Sequence, residues 1–210
     1  ALAGSTAYVG TSAGFFVVDV SVPTAPALLG SLAAGAVQEI AVDGSFAYLA
    51  VGASGVKKVD ISVSSSPVQV DSAPTTGGAY GIAVAGAYVY VAAEGDMVIF
   101  DTATVSVQGT LSAPVRAMDV AVDGTWAYVA DEMAGLRIVD VSAVGSPSAV
   151  SLLALPSMQP RGIVVDFPLV AVSGYIGAGG SALQLVNATD RVNPRIAASA
   201  TLPTHSESLA

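Results

Sequence analysis

The chain has 210 residues, of which 53% are apolar and none is cysteine, so disorder and a small disulfide-stapled fold are both excluded. Only 11% of the residues are charged, and 16 acidic against 7 basic side chains give a net charge of −9. Because a negative chain repels phosphate groups, we expect no nucleic-acid partner and no direct membrane insertion. A single histidine and few ionisable groups favour a non-catalytic protein over an enzyme.

A pattern of about forty residues recurs along the chain and predicts five consecutive units in a single domain over 1–210. Three features return in step: a strand-like segment around Ala-Tyr, an apolar run ending in Asp, and a proline seven residues later. The strand-like segments are Ala7-Tyr8-Val9, Ala47-Tyr48-Leu49, Val89-Tyr90-Val91, Ala127-Tyr128-Val129 and Leu169-Val170-Ala171. The runs end at Asp19, Asp60, Asp101, Asp140 and Asn187, and the later positions hold Pro26, Pro67, Gln108, Pro147 and Pro194. The predicted repeats are approximately 1–35, 36–77, 78–115, 116–158 and 159–210.

The fourth unit shows the predicted elements best, because its apolar residues alternate with period two over strand-length segments. The expected strands are 118–122, 125–130, 136–141 and 148–153, and Asp123-Gly124 forms the first hairpin turn. Four antiparallel strands in one repeat are typical of a propeller blade. The sequence therefore predicts an all-β fold, a β-propeller of about five four-stranded blades. A β-sandwich is the alternative, although it does not require a repeat of this length.

The segment Gly135-Leu136-Arg137-Ile138-Val139-Asp140-Val141-Ser142, preceded by Ala127-Tyr128-Val129-Ala130-Asp131 and followed by Pro147, resembles the LVIVD repeat family. The resemblance extends over essentially all five units and implies a β-propeller. It also implies a bacterial or archaeal protein of the cell surface or the exported fraction, mostly without an assigned activity. We therefore expect an extracellular or cell-envelope location, with any export signal lying outside this chain.

Two recurring residue types have a predicted structural role. The tyrosines Tyr8, Tyr48, Tyr90 and Tyr128 are expected to fill the gap between neighbouring blades, each hydroxyl finding one partner. The strand-end carboxylates Asp19, Asp60, Asp101 and Asp140 are expected to accept backbone N–H groups in turns, as Asn187 would.

The two ends of the chain resemble parts of one strand. The segment 205–210 is similar to the start of a first strand, which 1–4 would complete. We expect a closed five-bladed ring in which both ends share one blade, and a segment of a longer array is the alternative.

The positions that enter each innermost strand differ from unit to unit against a constant frame, so specificity is expected there. The ligand-binding candidates at this predicted channel mouth are Gln38, Glu39, Tyr80, Arg116, Asp119, Arg161 and Glu207. We expect Arg116 and Arg161 to balance the acidic members of the set.

The loop between the two middle strands is the second irregular place. It holds Glu94, Asp96, Asp131 and Glu132 in two units, and a glycine-rich insertion around Tyr175 in the fifth. Calcium binds such oxygen-rich loops, but the spacing is not that of a dedicated calcium loop, so we expect no metal and no cofactor.

Two functions follow as hypotheses. The first is a non-catalytic exported or cell-surface scaffold for protein interaction, adhesion or assembly, whose partner is a protein, a glycan or another copy. The alternative is a hydrolase or lyase that uses carboxylates and arginines at the channel mouth.

Overall fold

The computed structural model describes residues 1–112 and 114–202, with only the backbone of Ala178, and it is almost entirely β-structure. Its strands form five antiparallel sheets of four strands each, and every sheet is a meander in chain order. This is the predicted propeller architecture of five blades. Glu207 and the rest of 203–210, on which the expected strand shared by both ends depends, lie outside the described residues.

The twenty strands follow the repeat. The first blade contains β1 (Leu2–Ala3), β2 (Thr6–Thr11), β3 (Gly14–Asp19) and β4 (Ala27–Leu32). The second contains β5 (Glu39–Asp43), β6 (Phe46–Ala50), β7 (Val56–Asp60) and β8 (Val68–Ala73). The third contains β9 (Ala79–Ala85), β10 (Tyr88–Ala93), β11 (Asp96–Asp101) and β12 (Val107–Leu111). The fourth contains β13 (Ala117–Asp123), β14 (Trp126–Asp131), β15 (Gly135–Asp140) and β16 (Ser148–Leu153). The fifth contains β17 (Met158–Asp166), β18 (Leu169–Ile176), β19 (Gly180–Asn187) and β20 (Arg195–Leu202), with a 3-10 helix at Gly177–Gly179.

Tight hairpins connect the first two strands of each blade. In the fourth blade Asp123 pairs with Trp126 across the turn, and Gly124 has a φ of 57°, which a side chain would disfavour. The first strand of each blade packs against the first strand of the next from β5 to β17, so these strands line the centre. The fourth strands lie at the periphery.

Each blade has two broad faces, because successive side chains along a strand point to opposite sides of the sheet. We call the side turned toward the following blade the forward face and the side turned toward the preceding blade the rear face. The forward faces are built from Tyr8, Phe15, Val17; Tyr48, Val56, Lys58; Tyr90, Met97, Ile99; Tyr128, Leu136, Ile138; and Ala171, Leu183, Leu185. The rear faces are built from Ala7, Val9, Val18; Ala47, Leu49, Val59; Val89, Val91, Phe100; Ala127, Val129, Val139; and Val170, Val172, Val186.

The hydrophobic core is divided into four clusters, and each joins the forward face of one blade to the rear face of the next. The tyrosines fill these gaps as predicted. Tyr48 donates a hydrogen bond from its hydroxyl to the Thr102 carbonyl at 3.2 Å, and the Tyr128 hydroxyl accepts one from Arg191 Nε at 3.1 Å. Both bonds reach the following blade, so the aromatic residues also fasten neighbouring blades together.

The fifth unit differs from the expected alignment by one residue. Leu169 pairs with Asn187 as Trp126 pairs with Asp140, so Ala171 and not Val170 occupies the tyrosine position. A shift of one residue moves a side chain to the opposite face, which explains why Val170 is buried against the fourth blade.

The strand-end carboxylates form the predicted turns. Oδ1 of Asp19, Asp60 and Asp140 each accepts the backbone N–H two residues later at 2.8 Å, and Asn187 does the same for Thr189 at 2.9 Å. These hydrogen bonds from serine lower the pKa of Asp19, Asp60 and Asp140. Because the neutral Asn187 makes the same bond, the position requires an acceptor and not a charge.

The insertion in the fifth unit is not the loop that the sequence predicted. It lengthens the central hairpin, so that Tyr175 pairs with Ser181 inside β18 and β19. Across the described part of the chain, the structure contains no helix long and apolar enough to cross a membrane.

Candidate functional site

A pocket of about 380 Å³ opens at the centre of the blades, where the innermost strands begin. It is lined by Gln38, Glu39, Tyr80, Met118, Asp119, Arg161 and Tyr175. The structure thus brings together five of the candidates at the channel mouth, from the second, third, fourth and fifth blades. Their role in ligand binding stays a prediction.

Two carboxyl groups meet in this pocket and also connect its walls. Glu39 Oε2 accepts the Ile82 N–H at 2.7 Å, which ties the second blade to the third. Asp119 Oδ2 accepts the Ile163 N–H at 2.7 Å, which ties the fourth blade to the fifth. Each carboxylate therefore satisfies a backbone donor of the neighbouring innermost strand.

The pKa of both carboxyl groups is raised. Burial is the largest cause for Asp119, whose pKa lies well above 3.8, and the charge of Glu39 raises it further. Burial also raises the pKa of Glu39, while the hydrogen bond from Ile82 opposes the increase. Asp119 therefore holds the proton of the pair and donates it to Glu39, since two adjacent charges in a partly buried site are unfavourable.

We predict that this pair makes the folded state less stable as the pH rises. A carboxyl group with a raised pKa contributes its stability fully below the ordinary value of 3.8 and loses it as the pH rises through the raised pKa. Asp119→Asn cannot ionise, so its free energy of unfolding should fall less than that of the wild type over this range. Chemical denaturation at a series of pH values measures the difference.

Asp140→Asn is the control for this experiment. The pKa of Asp140 is lowered, so the group is ionised throughout the range and its replacement should leave the pH dependence unchanged. Parallel wild-type and Asp119→Asn curves would contradict the shared proton.

The arginines do not balance Glu39 and Asp119, contrary to the prediction. Arg116 Nη1 lies 2.7 Å from Glu132 Oε2, and Arg161 Nη2 forms an ion pair with Glu132 Oε1. Glu132 is only 5% exposed and lies in the loop after β14, between the two guanidinium groups. The reason is geometric, because the blade-to-blade stacking brings this loop beside the start of the innermost strands.

Arg161 is fixed by further contacts. Its Nη1 lies 3.7 Å from the Met118 sulfur, and its guanidinium carbon lies 5.1 Å from the centre of the Tyr175 ring. Arg116 forms its other interaction with the Tyr80 side chain, which together with Glu132 raises the pKa of Arg116.

A second ion pair lies beneath this loop. Asp131 is fully buried, and its two oxygens accept the N–H groups of Val115 and Arg116 at 3.0 and 3.1 Å. Arg137 Nη2 lies 3.1 Å from Asp131 Oδ2 and is 9% exposed. Asp131 therefore shapes the chain leading into β13 and positions the loop that carries Glu132.

A larger pocket of about 530 Å³ adjoins the first, between the loops of the fourth and fifth blades. Its walls include Glu132, Met133, Leu155, Met158 and Tyr175, so Tyr175 and the Glu132 loop border both cavities. Sequence reasoning placed Glu132 and Tyr175 in variable loops but did not assign them to the channel mouth. The signal that pointed to them was their position after the second strand of a blade.

The chemistry available at the mouth is limited by these pairings. Among the described residues, no group of three His, Cys, Asp or Glu side chains is arranged to hold a metal ion. Asp131 and Glu132, considered for calcium, have arginine partners. The protonated Asp119 is the group best suited to give a proton to a ligand in the pocket.

Five four-stranded sheets stacked face to face around a central pocket define a β-propeller. Within this class, the LVIVD repeat model matches residues 1–33, 34–75, 76–108 and 115–153, which together make up more than half of the chain. The chain belongs to the LVIVD repeat family.

Comparison with other proteins adds information about the fold alone. No curated protein matches the chain significantly. The computationally designed Ika8 protein is similar with a TM-score of 0.69 and 12% identity, over 98% of this chain and 61% of that chain. A chain of the mitotic checkpoint complex is similar with a TM-score of 0.77 and 12% identity, over 98% of this chain and 65% of that chain. This chain therefore spans less than two thirds of the length of either structure.

Proposed function

We propose that this propeller is a non-catalytic interaction scaffold, located outside the cell or in the cell envelope, whose partner is another protein. The observation that carries the proposal is the apolar periphery. Val68, Val107 and Leu152, on the outer strands of the second, third and fourth blades, are 52%, 56% and 49% exposed. Exposed apolar side chains repeated along a charge-poor rim are suited to protein contact.

The channel mouth supports the same proposal. Arg116, Arg161 and Glu132 form ion pairs with one another, and Glu39 and Asp119 accept backbone N–H groups. Side chains that hold the blades in place have little freedom for a catalytic cycle. The family and the lack of cysteine are compatible with an extracellular location, because such repeats resemble exported proteins.

We predict that the outer strands contact the partner on intact cells. A photo-crosslinking residue in place of Val68 should give one discrete cross-linked product when the full-length protein is expressed in its native host. The matched control is Val63, which is 56% exposed in the same blade but lies in the turn after β7. External protease should remove the product, because both components are outside the cell.

Equal products from positions 63 and 68, or no product at either, would contradict contact through the outer strands. A product resistant to external protease would contradict the location. Glycan-array binding that is lost in Tyr80→Ala and retained in Val68→Lys would place a glycan at the channel mouth instead.

An enzyme is the second candidate, and the protonated Asp119 beside the 380 Å³ pocket is the observation that favours it. A protonated carboxylic acid next to a carboxylate is the pair that glycoside hydrolysis uses. Turnover of nitrophenyl glycosides by the wild type, lost by a factor of about 100 or more in Asp119→Asn, would support this candidate over the scaffold.

A further inference from the structure

The blades at the two ends of the array have faces that differ from all the others in burial. Val9 on the rear face of the first blade is 41% exposed, whereas its counterparts Leu49, Val91, Val129 and Val172 are fully buried. Ala7 and Val18 on the same face are partly exposed, whereas Ala47 and Val59 are fully buried in the second blade.

The forward face of the fifth blade shows the same difference. Leu183 and Leu185 are partly exposed, whereas Leu136 and Ile138 at the corresponding positions of the fourth blade are fully buried. In residues 1–112 and 114–202, no core cluster joins the fifth blade to the first. Both faces are apolar surfaces of the kind that the other blades bury.

The outer strand of the fifth blade gives independent support. A β-bulge recurs in the fourth strand of each blade, and the residue beside it is covered by a turn of the following blade. Gly30 approaches Pro67 of the second blade, and Ser151 Oγ donates to the Arg191 carbonyl of the fifth blade at 2.7 Å. Ala198 at the equivalent position of β20 is exposed.

We propose that these two faces bind each other between copies of this chain, with the rear face of the first blade of one copy against the forward face of the fifth blade of another. The four internal interfaces are the precedent, since each already joins a forward face to a rear face through the same positions. This inference deepens the proposed scaffold function, because it names the partner as a second copy.

The residues fit one another in size and charge. The forward face of the fifth blade has Ala171 where the other blades have tyrosine, which leaves space, and the rear face of the first blade adds Phe16 beside Val18. None of these side chains is charged. The net charge of −9 opposes association at low ionic strength, so added salt should strengthen the contact through screening and apolar burial.

The contact joins unlike surfaces, so it is heterologous, and each added copy presents another free face until a ring closes. We therefore predict wild-type species larger than a dimer, increasing with protein concentration and with salt. Sedimentation velocity of the 210-residue chain measures this distribution. A monomer at all concentrations would overturn the inference and leave the outer-strand cross-link at Val68 unaffected.

Complementation of two variants tests which surfaces are involved. Val9→Lys disables the rear face, and Leu185→Lys disables the forward face, so each variant alone should be monomeric. An equal mixture should form a dimer and nothing larger, since only one productive contact is left between the two variants. Val63→Lys, in the exposed turn of the second blade, is the control and should assemble like the wild type.

Two results would overturn this arrangement. If both variants assemble like the wild type, the contact lies elsewhere on the molecule. If the mixture is monomeric while the wild type assembles, the two faces do not bind each other. Circular dichroism of each variant should match the wild type, because both substitutions are at positions with solvent access.

Discussion

Replacing Asp131 with alanine is expected to destabilise the protein by about 3–5 kcal/mol, the usual result of removing one partner from a buried ion pair. The carboxylate is fully buried, and the variant would leave two backbone N–H groups and the Arg137 guanidinium without their acceptor. Chemical denaturation of wild type and variant measures the loss directly.

Asp123→Ala is the matched control for this prediction. Asp123 lies in the same blade and is also paired with an arginine, Arg191, at 3.6 Å, but its side chain is 45% exposed. A solvent-exposed pair contributes about 0–1 kcal/mol, so the control should lose little stability. Equal losses in both variants would show that Asp131 has no special role in the blade. The double variant Asp131→Ala/Arg137→Met should recover part of the loss, because it removes the unpaired charge.

Gly109→Ala is expected to cost about 1–3 kcal/mol, toward the upper end, because overpacking here is against backbone. Gly109 is buried in β12, where an added Cβ would overlap the carbonyl oxygen of Val144 in the fourth blade and lie 3.2 Å from Pro147 Cδ. The substitution would push the third and fourth blades apart. Thermal unfolding should show a lower midpoint temperature.

Gly145→Ala tests the same interface from the other side. Its added Cβ would lie 3.6 Å from the Gln108 carbonyl oxygen, which is ordinary contact, so this variant should unfold close to the wild type. Similar midpoints for Gly109→Ala and Gly145→Ala would contradict the close approach of the two blades.

The sequence predicts the blades well because the signals for them are local. A turn such as Asp123-Gly124 and the alternation along β14 lie within a few residues of one another, and the repeat confirms each signal several times. The strand-end turns are predictable for the same reason, since Asp140 bonds to a residue two positions away.

The partners of the arginines are not predictable in this way. Arg161 pairs with Glu132 from another blade, and the choice of Glu132 over Asp119 depends on where the loop after β14 is held. The misplacement of Val170 has a different origin, because the fifth unit has no tyrosine to fix its alignment. One residue of error exchanged its two faces.

The repeated interface has a consequence for how such proteins change over generations. Because every blade meets its neighbours through equivalent positions, stability is approximately a sum over nearest neighbours. Unequal recombination within the gene would therefore add or remove a whole unit while preserving the joints on either side. The Glu132 loop and the lengthened β18–β19 hairpin mark where single units have been free to diversify without disturbing that joinery.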